Sequence, residues 1–273
     1  MITFLLVIGL LITPAYAQDS ALDTEAEQNA LWEERVERAE GFRDATLHTR
    51  KGMRLFANLA KDHSTLLAEH RAACRVAMRR SNRDTKLPKA MRCYRGQVVL
   101  QREFTQRQME YFDILPGISE SVRTSNIVRQ RELIDALDAV IFGLESGVYS
   151  SIEEIEEAKA NLRDLYRVPA ALGRVHMRAD RMQTWIAHIM FRMLSLVQAT
   201  AISDQTFAQI SSASLCYEQG EALLRQVIST EEYQEANFLF SQTLLHLQTC
   251  SPILREAYRI HTSEKEILTD EEF

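Results

Sequence analysis

Apolar residues recur at spacings of three and four along almost the whole chain, and this period constrains the fold most. Ile127, Ile134, Leu137, Ile141 and Leu144 form one stripe. Met182, Ile186, Ile189, Met193 and Leu196 form a second. Phe207, Ile210, Tyr217, Leu224 and Ile228 form a third, and Tyr233, Ala236, Phe240, Leu244 and Leu247 a fourth. Closer to the N-terminus, Trp32, Val36, Ala39, Met53, Phe56 and Ala60 repeat the pattern. No useful length alternates with period two. With 9 glycines and 5 prolines in 273 residues, turn formers are too few for a sheet-rich chain. The expected fold is all-α: an antiparallel helical bundle, or stacked helical hairpins, of about eight helices. A hydrophobic content of 46% with 26% charged residues excludes a long disordered chain and a polytopic membrane protein.

Prolines and capping signals predict where the helices divide. Ser150-Ser151 precedes Glu153 and Glu154, an N-cap followed by acids that suit the helix dipole. Ser229 and Glu232 fit a capping box, and Ser251-Pro252 sets a cap before a first-turn proline. The expected helices are 24–61, 63–81, 88–114, 118–146, 151–167, 170–200, 203–228, 231–249 and 252–262. They read as one domain over 18–262, with Pro116 and Pro169 as the two candidate points of subdivision. Residues 263–273 are acidic and are expected to fray.

The first residues predict the compartment. Residues 2–12 are an almost unbroken apolar run, followed by Pro14 and Ala15-Tyr16-Ala17. This reads as a secretory signal peptide over 1–17, cut before Gln18, although no Lys or Arg precedes the run. The run is shorter than the roughly 20 residues that span a bilayer. The mature chain is therefore expected in the periplasm or secreted.

Four cysteines follow the leader: Cys74, Cys93, Cys216 and Cys250. An even count in an exported chain suggests two disulfides. Cys74 and Cys93 lie about equally far from the expected turn near residue 84, so an antiparallel hairpin would set them at one height. Cys216 and Cys250 flank a later hairpin less symmetrically. The favoured pairing is 74–93 with 216–250, each loop worth ~3 kcal/mol. No CxxC is present, and the spacings are too wide for a zinc ribbon.

The stretch Leu215-Cys216-Tyr217, Tyr233-Gln234-Glu235-Ala236, Leu244 and Thr249-Cys250 resembles the second half of a plant invertase/pectin methylesterase inhibitor domain. There a helical hairpin carries a disulfide across a four-helix bundle, so the resemblance supports a 216–250 bridge. The family's closely spaced N-terminal cysteine pair has no counterpart, because Cys74 and Cys93 are too far apart. The resemblance implies a hairpin and no activity.

Charge supplies the candidate functional site. Arg71, Arg75, Arg79, Arg80, Arg83, Lys86, Lys89, Arg92 and Arg95 fall within one segment whose only acid is Asp84. The segment carries +8, leaving −14 for the rest of a chain whose net charge is −6. Arg71, Arg75 and Arg79 recur every four residues and share a helix face. A disulfide between Cys74 and Cys93 would fix these groups as a positive hairpin tip that attracts phosphates or carboxylates. Two arrangements would neutralise it: packing against the acids Glu153, Glu154, Glu156, Glu157 and 264–272, or plain solvation.

Other chemistry is thinly represented. Met177, Met182, Met190 and Met193 with His176 and His188 suggest soft copper ligands, but Met182 and Met193 share the apolar stripe and read as core. Neither a His-Glu-x-x-His, a Gly-rich phosphate loop nor a Gly-x-Ser-x-Gly elbow occurs. No cofactor or metal is expected. Nucleic acid is not the expected partner, because the chain is acidic overall and Tyr94 is the patch's one aromatic. The expectation is a non-enzymatic binding or scaffold protein that contacts an anionic protein, lipid headgroup or envelope polymer through 71–95. The alternative is an enzyme or ligand-binding bundle whose site is assembled from sequence-distant residues.

Overall fold

The computed structural model describes residues 56–199 and 202–270. The leader at 1–17 and the helix expected from 24 lie outside the described residues up to residue 55. The described residues form helices and connecting loops, with no strand among them. In chain order they are α1 (56–79), α2 (Arg83–Asp113), α3 (Glu120–Glu145), α4 (Ile152–Leu162), a π-helical turn (Arg163–Arg167), α5 (Val168–Ala199), α6 (Asp204–Ser229) and α7 (Tyr233–Asp270). No helix of the described residues is long and apolar enough to cross a membrane.

Three proline boundaries fall elsewhere than expected. α2 begins at Arg83, not near Pro88, because Asn82 and Thr85 make a reciprocal capping box. Pro169 does not separate two helices. Its ring would clash with the carbonyl four residues earlier, and the backbone meets this by widening one turn to the π form. Val168 N–H accordingly donates to the Arg163 carbonyl. Pro252 sits inside α7, which runs on to Asp270 in place of a new helix at 252. Buried Cys250 and Ala257 on either side hold that helix against the core, and packing outweighs one missing hydrogen bond. The break expected near residue 62 is likewise absent, since α1 is continuous there.

Two helical packs share one rod. α2, α3 and α4 enclose Tyr94, Val98, Leu133, Leu137, Leu144, Ile155 and Leu162, closed by Ala170 at the root of α5. Further along, α5 packs Val175, Ala179, Ile186, Met190 and Met193 against Tyr217, Leu224, Ala236 and Phe240 of α6 and α7. The third stripe is offset slightly: Phe207 is exposed, and the neighbouring Thr206 is buried instead.

Loops are tied to helices by charge. Arg123 donates to the carbonyls of Phe112, Asp113 and Leu115, satisfying the end of α2. The Ser119 N–H donates to the carboxylate of Asp180, and Thr184 Oγ1 donates to the Gly117 carbonyl at 2.9 Å. Gly117 turns this loop with φ of 75°, a conformation that suits glycine.

Both expected disulfides are formed, Cys74–Cys93 and Cys216–Cys250, each with Cα atoms 5.6 Å apart. Each has the same companion. His70 and His246 lie one turn before Cys74 and Cys250, and each Nε2–H donates to the carbonyl of the opposite cysteine. The distances are 2.8 Å to Cys93 and 2.9 Å to Cys216. Glycine makes room for the first of these rings: a Cβ on Gly96 would lie 2.3 Å from His70 Cε1. Each crossing is therefore clamped by one covalent bond and one hydrogen bond.

Candidate anion-binding cleft

The Cys74–Cys93 bridge fixes α1 against α2 and so fixes the basic segment. Eight of its nine cationic side chains are exposed, and Lys89 is half-buried with its Nζ 3.4 Å from the Arg80 carbonyl. Arg95 pairs with Glu145 of α3. Among the described residues, the other eight have no carboxylate partner.

Below the tip, α1, α2 and α4 enclose a cleft of about 540 Å³. Arg71, Arg75 and Arg79 line one wall in the predicted row. Lys159 of α4 lines the other, with Nζ 5.0 Å from the centroid of the Tyr94 ring. Tyr94 also lines the cleft, only 3% exposed, and its hydroxyl has no hydrogen-bond partner. Burial pushes that phenol up to about 12, against the opposing field of Arg167. Arg167 stands on the π turn with its buried Nε unpartnered. Burial lowers its pKa, and the positive field of Arg71 lowers it further.

The acidic run does not fill the cleft. Glu156 lines it but is held by Lys159 at 2.6 Å, while Glu154 turns back to accept from Ser150. Arg80, Arg83, Lys86, Lys89, Arg92 and Arg95 of the predicted site are not among the cleft-lining residues. The structure also adds Tyr94 and Lys159, which sequence reasoning left outside the binding set, with Arg167 near enough behind the cleft for its charge to act on Tyr94. Lys159 and Arg167 are brought in by packing of distant helices, for which no local spacing is a signal. The methionines of α5 lie mainly in the core, and His176 Nε2 donates to the Thr230 carbonyl at 2.9 Å.

A second constellation unites Cys216, His246 and Cys250, whose ligand-type atoms lie within 4.8 Å of one another. Its two sulfurs are spent in the disulfide. The cleft therefore gathers three exposed guanidinium groups, a Lys159–Glu156 pair and a buried hydroxyl that lacks a partner, a set whose arginines are able to take up an oxyanion.

The fold and cleft together define an all-α, disulfide-clamped bundle with an arginine-lined cleft between α1, α2 and α4. No protein-family model, curated protein or solved structure matches the chain.

Proposed function

We propose that this is an exported binding protein that holds an anionic partner through the basic hairpin at 71–95 and the cleft beneath it. The observation that carries the reading is the row Arg71, Arg75 and Arg79, without acidic partners among the described residues, above the unpartnered Tyr94 hydroxyl. Like charges one turn apart on a helix repel one another, and an incoming anion relieves that repulsion. A cleft of about 540 Å³ favours discrete phosphate or carboxylate groups, as a lipid headgroup or envelope polymer carries, over a diffusely acidic surface. Export is supported by the apolar leader sequence and by two disulfides, which persist in oxidising compartments.

The test is charge reversal in the full mature chain. Arg75, Arg79 and Arg92 are replaced together by Glu, and binding to phosphatidylglycerol vesicles is compared with binding to phosphatidylcholine vesicles at low and high salt. The expected result is capture on the anionic vesicles alone, weakened by salt and abolished in the variant, with helicity retained. Equal capture by variant and native protein would remove the hairpin as the binding surface.

A further inference from the structure

A polar cavity of about 270 Å³ lies apart from the cleft, between α3, α5 and the α6–α7 turn. Asn126, Arg129, Gly173 and His176 line it, with Glu231 also contributing to its wall. Hydrogen-bond accounting fixes the orientation of the buried amides. Gln130 Nε2 is 3.0 Å from the Ala170 carbonyl, which only accepts, so this end of Gln130 is its NH₂. The same nitrogen lies 3.3 Å from an Asn126 atom, which must then be the acceptor Oδ1. The other end of Asn126 is therefore an NH₂ donor. It is buried in a residue 1% exposed and has no partner.

Arg129 has the same deficit. Its Nη1 is buried without a hydrogen-bond partner, and among the described residues the guanidinium has no carboxylate partner. A half-buried cation whose Nη1 lacks a partner, beside a buried amide donor that lacks one too, is a point where an anion would satisfy both. His176 adds no negative charge: its Nε2–H is committed to Thr230, and burial, with a contribution from Arg129, lowers its pKa. Space at this point is kept by Gly173, where a Cβ would meet Asn126 Oδ1 at 2.6 Å.

We propose that this cavity is a binding site for a small carboxylate ligand, held by Arg129 and the Asn126 amide. One guanidinium matches one negative charge, and the negative charge of Glu231, which also lines the cavity, disfavours a dianion such as phosphate. That same side chain would receive a cationic or hydroxyl group on the ligand, so a compact amino acid fits both ends.

The experiment is isothermal titration of the full mature chain with acetate, L-alanine and inorganic phosphate as probes. Two variants accompany it. Arg129→Gln removes the charge, and Asn126→Asp replaces the amide donor with a carboxylate of nearly equal shape that pairs internally with Arg129. L-alanine is expected to bind most tightly and phosphate least. Both variants should weaken L-alanine at least ~10-fold, the loss that follows removal of a charge-assisted hydrogen bond. Asn126→Asp should also raise the thermal midpoint, because Arg129 then has its anion, so lost binding cannot be ascribed to lost folding. Absence of saturable binding of acetate and L-alanine would show that the cavity holds only water and would overturn the proposal. Phosphate binding tighter than L-alanine, or undiminished binding in Asn126→Asp, would also overturn it. None of these outcomes bears on the Arg75, Arg79 and Arg92 vesicle test.

Discussion

Replacing Cys216 and Cys250 together by alanine tests how the α6–α7 pair is held. The bridge closes a sequence separation of 34 residues, and the loop-entropy relation assigns it about 3.8 kcal/mol at 25 °C. The Cys74–Cys93 bridge closes 19, for which the same relation gives about 3.2 kcal/mol. Packing widens the gap. Cys250 is fully buried in the larger core, whereas Cys74 and Cys93 are both half-buried. Deleting a buried sulfur leaves a small void worth ~1 kcal/mol more. The 216–250 double alanine variant should thus lose about 5 kcal/mol and the 74–93 variant about 3 to 4.

Urea unfolding followed by far-ultraviolet circular dichroism reads both losses. A third measurement separates the two causes. In the Cys74→Ala/Cys93→Ala background, a phosphine reductant opens the remaining bridge but leaves its sulfur atoms in place. Reduction should then cost the entropic share of about 3.8 kcal/mol without the packing share. A loss below ~1 kcal/mol for either step would refute the loop argument. A larger loss from the 74–93 variant than from the 216–250 variant would refute the ranking.

Other substitutions probe separate features. Tyr94→Phe removes a buried hydroxyl that has no partner, so the urea midpoint should hold or rise, by up to ~1–2 kcal/mol, while vesicle binding weakens. Gly96→Ala should destabilise by about 1–3 kcal/mol, because the new methyl must displace His70 from its bond to Cys93; the same unfolding assay reads it. Burial holds His176 below its ordinary 6.5, and burial likewise lowers His63. The unfolded chain then binds protons more readily, so stability is full above pH 6.5 and declines as pH falls through that value toward the folded pKa. His176→Gln should flatten the decline seen in unfolding at pH 7.5 and 5.0, and an unchanged slope would assign it to other groups.

The helical stripes were legible because a buried face repeats every three to four residues. Ile134, Leu137, Ile186, Met193, Tyr217 and Leu224 accordingly all lie in the cores. The disulfides were legible because an antiparallel hairpin converts distance from its turn into height. Proline misled at 88, 169 and 252, since it reports a local hydrogen bond while the helix obeys its neighbours. At Pro169 the conflict is resolved by a π turn, which no spacing rule anticipates. The arginine row at 71, 75 and 79 was readable as one helix face. Its opposing wall was not, because Lys159 and Arg167 meet Tyr94 only after α4 folds across α2. Asn126, Arg129 and Gln130 gave no signal either. A polar residue in an apolar stripe resembles an exposed one until burial removes its water.

The shared rod gives the molecule a mechanical character of its own. At 32 residues and 1.5 Å per residue, Val168–Ala199 is an axle about 48 Å long with no joint between the two packs. At its N-terminal end the axle meets the widened turn Arg163–Arg167. A π turn breaks the regular hydrogen-bond ladder, so any bend in the axle would concentrate there, beside the helices that wall the cleft.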